Sequence, residues 1–136
     1  MDKFIYDLDV LKALVDIEIS RIGRYEKDEQ FAIVFIYSPK IAEENQNGQV
    51  DVASILKEKL RASDVLTSVE KDFSFIFLSE TNRKGAEEFL KRIKSELPEG
   101  TVTGVVTFPE NGKTSFELFQ KLLEIMKENM LPSFEE

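Results

Sequence analysis

Apolar residues recur at three- and four-residue intervals from about Phe4 to Tyr25. Leu8, Leu11, Val15 and Ile22 form one stripe, and Val10, Leu14 and Ile17 form a second beside it. This spacing predicts a helix whose apolar face is broader than one packing contact needs. Such a face is either wedged between the core and another element of the same domain, or it also meets a second copy or another protein. After the polar break EKDEQ, the run FAIVFIY (Phe31 to Tyr37) is continuously apolar and rich in β-branched and aromatic residues. It predicts a strand buried on both faces, ended by Pro39. EENQNG (Glu43 to Gly48) reads as a loop. Val52, Ile55, Leu56 and Leu60 predict a helix of about three turns, with Asp51 as its N-cap.

Two strand-like runs follow, VLTSVE and FSFIFLS, separated only by Lys71 and Asp72. That is hairpin spacing, with Glu70, Lys71 and Asp72 at or beside the turn. Thr81 or Asn82 caps a helix carrying Ala86, Phe89, Leu90, Ile93 and Leu97, and Pro98-Glu99-Gly100 stops it. TVTGVVTF is a further strand, closed by the turn Pro109 to Gly112. Thr114 or Ser115 opens a last helix with Leu118, Phe119, Leu122, Leu123 and Met126 on its apolar side. The tail PSFEE reads as frayed.

The element order is therefore α-β-α-β-β-α-β-α. Without the terminal helices it is βαββαβ, the ferredoxin-like plan of an α+β fold. Right-handed crossovers place both middle helices on one face of a four-stranded antiparallel sheet. With no linker or repeat, residues 1–136 read as one domain. It divides into an N-terminal helix (1–27), an α/β core (28–130) and a tail (131–136).

Composition narrows the chemistry. The 136 residues contain no Cys, no His and no Trp, and 18 Lys+Arg against 26 Asp+Glu give a net charge of −8. Disulfides, thiolate nucleophiles and thiolate zinc sites are excluded. So are triads that rely on a histidine base. Any metal would need an all-oxygen site, hence Mg²⁺, Ca²⁺ or Mn²⁺. The acidic balance argues against nucleic-acid binding, and no apolar run is long enough to span a membrane. MDKFIYDLDV lacks the basic and apolar regions of a signal peptide. The expectation is a soluble, cytoplasmic domain. Paired acids such as Glu43-Glu44 and Glu87-Glu88 offer no focused site. The second pair, with Lys84, Lys91 and Arg92 nearby, reads as a solvated helix face.

Several short segments, taken in order, bring a family into view. RIGRY (Arg21 to Tyr25), with the polar stretch and apolar strand after it, resembles the opening of GGDEF domains, the diguanylate cyclase family. RASD (Arg61 to Asp64) looks like that family's RxxD motif. Five residues on, Glu70-Lys71-Asp72-Phe73-Ser74 fall where the GGDEF signature belongs. FIFLSET (Phe75 to Thr81) is similar to the strand leaving the signature hairpin, and FPENG (Phe108 to Gly112) to the turn after the late strand. The resemblance covers roughly residues 8 to 130.

The resemblance implies synthesis of cyclic di-GMP from two GTP molecules held by two facing domains. Carboxylates there hold two Mg²⁺ ions that clamp phosphate and activate a 3′-hydroxyl. This chain departs from the pattern at the positions that matter. Glu70 and Lys71 replace the two glycines that let the backbone approach the triphosphate. Asp72 stands at the signature Asp, but Phe73 occupies the adjacent acidic position. Tyr37 stands where the first strand should end in a metal carboxylate, and a tyrosine is no substitute for Mg²⁺. Met130 takes the place of a phosphate-contacting Lys, and the usual Asp-Leu-Thr-Gly-Leu lead-in is absent. Asp72 alone reads as a solvated turn residue.

No catalytic residue, metal or cofactor is therefore expected. The leading expectation is an inactive GGDEF-like domain that signals by binding another protein, or a second copy, through its N-terminal helix. The alternative is a cyclic di-GMP receptor using Arg61 and Asp64, which the resemblance places in a product-binding site. Arg suits the O6/N7 edge of guanine and Asp accepts from its N–H groups. The structural alternative is Arg61 near a helix C-terminus, where a cation is favoured, and Asp64 in a turn. An active cyclase ranks last.

Overall fold

A computed structural model describes residues 5–6, 8–24, 29–37, 56, 58–70, 73–97 and 100–129. The strands are β1 (Ile5–Tyr6), β2 (Phe31–Tyr37), β3 (Val65–Glu70), β4 (Phe73–Leu78) and β5 (Val102–Phe108). The helices are α1 (Leu8–Arg24), α2 (Arg83–Lys94) and α3 (Ser115–Asn129). Between β2 and β3, Leu56, Glu58 and Lys59 are helical, consistent with the helix expected there; its expected N-cap, Asp51, lies outside the described residues.

The sheet order is β1-β3-β4-β2-β5. β2, β3, β4 and β5 form the antiparallel four-stranded core of an α+β fold, as the βαββαβ pattern requires. One element corrects the sequence reading. The N-terminal helix starts at Leu8, not near Phe4, and Ile5–Tyr6 instead pairs in parallel with Leu66 and Thr67 as a fifth, edge strand. Two residues are too few to show an alternating pattern, so the strand is invisible to periodicity.

β2 is an inner strand, flanked by β4 and β5, and both its faces are apolar. Ala32, Val34 and Ile36 join Leu56, Leu66, Ile76, Ala86, Phe89 and Ile93 under α2. Phe31, Ile33 and Phe35 join Leu11, Val15, Ile22, Phe75, Phe77, Val106, Leu118 and Leu122 under α1 and α3. Period-two alternation sends odd and even residues to these two cores. Phe31 lies 5.1 Å from Phe77 and stacks on Phe108 at 5.0 Å. Full burial of each such side chain contributes about 1.5–3 kcal/mol.

Of the two stripes on α1, Leu11, Val15 and Ile22 are buried, whereas Val10 is 40% and Ile17 67% exposed. The other exposed large apolar residues among those described, Phe116 and Leu123, lie on α3. All four therefore belong to the helical layer on one side of the sheet.

Local chemistry fixes the helix starts. Asn82, rather than Thr81, caps α2, its Oδ1 accepting from Gly85 N at 2.8 Å. Thr114 Oγ1 accepts from Glu117 N at 3.1 Å, and Glu117 Oε1 accepts from Lys113 N at 2.8 Å, a near-reciprocal cap for α3. In the β5–α3 turn, Thr107 Oγ1 and Arg83 Nε donate to Glu110 Oε1 at 2.7 and 3.0 Å. The Thr107 hydroxyl first, and Arg83 second, hold the Glu110 carboxyl below the usual carboxylate range. A depressed folded-state value means that this contribution is full above the ordinary range. It fades as pH falls through the folded-state value. Glu110→Gln should therefore narrow the loss of thermal stability between neutral and acidic pH. An unchanged acid limb in melts across that range would count against this role.

Candidate functional site

The segment from Arg61 to Asp64 is a tight turn, closed by Asp64 N donating to Arg61 O at 3.0 Å. It delivers the chain into β3 and turns the Asp64 side chain inward, where it is 2% exposed. A buried carboxylate requires donors, and Asp64 has them on both oxygens. Its Oδ2 accepts from Arg61 N at 2.9 Å and from Arg61 Nε at 3.2 Å. Its Oδ1 accepts from Arg61 Nη2 and from Ser79 N, each at 3.1 Å.

Arg61 is 54% exposed at its side chain. Its Nη2 also donates to Ser79 O and, at 2.8 Å, to Thr81 Oγ1. The hydroxyls of Ser63 and Ser79 lie 2.6 Å apart. The pair thus holds the turn from β4 into α2, where Glu80 adopts a left-handed backbone at φ 47°. A non-glycine residue in that region needs such support. Thr81 N in turn donates to Gln30 O at 3.1 Å, tying the turn to the entry of β2.

A cavity of about 370 Å³ opens beside this cluster. Arg61 and Asp64 line it together with Lys59, Glu80, Glu88 and Arg92. The sequence reading missed Lys59, Glu80 and the site role of Glu88 and Arg92. By sequence the last two read as part of a solvated helix face. Both are exposed, but they project from α2 into a pocket that the preceding segments complete. The signal was the four-residue spacing of Glu88 and Arg92, which puts them on one side of the helix. Lys59 is bridged to Glu96 at 3.1 Å.

The signature hairpin lies at the other end of β3. Glu70 and Phe73 are cross-strand partners, with a bulge between Ser68 and Glu70. Lys71 and Asp72 lie outside the described residues, as does Met130. Ser74 is buried in β4. Tyr37, at the end of β2, is directly opposite Phe73 on one side and Val102 on the other. The two positions that the family resemblance assigns to acidic groups are thus neighbours across the sheet, and they carry a phenol and a phenyl ring. They do not fit a pair of Mg²⁺ ions, which need anionic oxygen.

No family model matches the chain, and no curated protein does. Solved structures do. The GGDEF domain of YfiN (TpbB) from Pseudomonas aeruginosa aligns with a TM-score of 0.76 at 17% identity, over 96% of this chain and 88% of that one. The chain has the GGDEF-domain fold. The diguanylate cyclase SiaD of P. aeruginosa, solved with its activator SiaC, aligns at TM-score 0.67 and 13% identity over 98% of this chain and 57% of that one. The GGDEF domain of DgcB from Caulobacter crescentus, solved with cyclic di-GMP, aligns at 0.68 and 8% over 94% and 90%. The GGDEF fold accounts for the α+β core and for the helical elements on both faces. A shared fold leaves activity to be argued from the residues of the site.

Proposed function

We propose that this protein is a GGDEF-fold signalling domain without cyclase activity, acting through what it binds. One observation carries the reading: Tyr37 and Phe73 are cross-strand partners at the positions where, by the family resemblance, a two-metal site would need carboxylates. Glu70 and Lys71, in place of the two turn glycines, support it from the sequence. Purified protein incubated with GTP and Mg²⁺ or Mn²⁺ should form no cyclic di-GMP above a no-enzyme control. Product formation would overturn the proposal. Binding of a protein partner or a second copy is supported by the apolar residues left exposed on α1, Ile17 above all. Light scattering and pull-down with wild type and Ile17→Asp test this, and a strict monomer without a partner would count against it. We place the domain in the cytoplasm; among the described residues no helix is long and apolar enough to cross a membrane.

A second reading is favoured by the cavity beside Arg61. It is a cyclic di-GMP receptor in which Arg61, Lys59 and Arg92 supply positive charge for the two phosphates. Both Asp64 oxygens already accept hydrogen bonds, so in this reading Asp64 holds Arg61 in place and is not itself the main ligand contact. Arg92 is the better probe because it is exposed, so its removal does not disturb the core. Titration calorimetry should show Arg92→Ala binding cyclic di-GMP about tenfold more weakly than wild type, roughly 1.4 kcal/mol. Absence of heat with wild type at tens of micromolar ligand would remove this reading.

A further inference from the structure

The outer edge of β5 is the long free edge of the sheet. Its seven residues, Val-Thr-Gly-Val-Val-Thr-Phe, include no charge and no proline, the usual means of keeping an edge from pairing. Thr107 N donates to Asn111 Oδ1, and Asn111 N donates to Thr107 O, both at 2.8 Å. Both main-chain groups of Thr107 therefore point away from β2. By the alternation of an antiparallel ladder, so do those of Thr103 and Val105. Thr103 O is also taken, by Asn129 Nδ2 at 3.2 Å. Two asparagines thus stopper the edge at its ends, and among the described residues no other group bonds to its outward side between them.

The stoppers differ in strength. Asn111 is anchored, since its Oδ1 also accepts from Arg83 Nη2 at 2.7 Å and the turn is bound through Glu110. Asn129 is the exposed last residue of α3, where a helix frays most readily. We infer that the β5 edge is a latent strand-pairing surface for a second copy of this chain, held shut by Asn129. The sequence selects a copy of itself. An antiparallel pair centred on Gly104 sets Thr103 opposite Val105 of the second copy and the converse. It makes four main-chain hydrogen bonds without using Thr107. No charge is buried, and Gly104 presents no side chain at the two-fold axis.

The test compares the full chain with Asn129→Ala and with Asn129→Ala/Thr103→Pro. Proline at Thr103 removes an outward donor and leaves the ladder to β2 intact. Analytical ultracentrifugation should show Asn129→Ala dimerising at a concentration at least tenfold lower than wild type. Hydrogen exchange at Thr103 and Val105 should slow with concentration, and the double variant should return to wild-type behaviour. Equal association of Asn129→Ala and wild type would overturn the inference. So would a dimer that survives Thr103→Pro. Neither result bears on cyclase activity or on the Arg61 pocket, and Ile17→Asp, which leaves β5 untouched, separates this surface from association through α1.

Discussion

Gly104→Ala should destabilise the protein by about 3 kcal/mol, the upper range for forcing atoms into a packed core. A methyl group there would collide with the ring edge of Phe35 and come within 2.8 Å of Ile125 Cγ2. Phe35 is fully buried between β4 and β5 and has no room to turn aside. The alanine must therefore move a strand or α3. The urea midpoint should fall in proportion, with the slope unchanged. Phe35→Leu in the same chain should recover part of the loss, because two residues in contact are not additive. Gly23, on the exposed side of α1, is the control: nothing lies within 4 Å of a Cβ there. Gly23→Ala should leave stability the same or raise it by about 0.5–1 kcal/mol. Equal effects at the two glycines would show that the packing around Phe35 is looser than described.

Asp64→Ala is the second large effect, about 2 kcal/mol. Its removal strands the buried Ser79 N–H and releases Arg61 from the turn that carries Glu80. The value sits below that of a fully buried ion pair because the Arg61 side chain is half in water. Asp64→Asn keeps an acceptor for Ser79 N and should recover roughly half. Equilibrium unfolding distinguishes these variants. A wild-type midpoint for Asp64→Ala would show that the carboxylate is held for a ligand and not for the fold.

Much of this architecture was legible because it rests on periodicity. The unbroken run from Phe31 to Tyr37, the two-residue gap at Lys71-Asp72 and the caps before α2 and α3 each encode their element locally. Arg61 and Asp64 were legible as a pair. Their closure was not, since Ser79 and Thr81 come from the far end of a hairpin and no spacing rule connects them. Nor does any spacing rule connect Lys59 with Arg92, which line the same pocket. Positions such as Glu88 look like any solvated helix residue until the opposite wall is known. The fate of the two α1 stripes was equally non-local. Both are apolar, and only the packing of α1 against the sheet decides that Val15 is covered and Ile17 is not.

The pairing of β1 with β3 carries a kinetic consequence. Ile5 meets Leu66 only when the long intervening chain has been looped out, whereas β3 and β4 are neighbours in sequence, with Glu70 paired to Phe73. Loop closure makes the hairpin the early event and the β1 contact a late one. The same two-residue ladder, held at one edge only, should be the first to open in the folded protein. Successive N–H groups of a strand point to opposite edges, so only one of the Leu66 and Thr67 amides faces β1, and its exchange should follow the docking of β1 more closely than global unfolding. β3 runs from the residue after Asp64 to Glu70, so an event at β1 reaches both through a single strand.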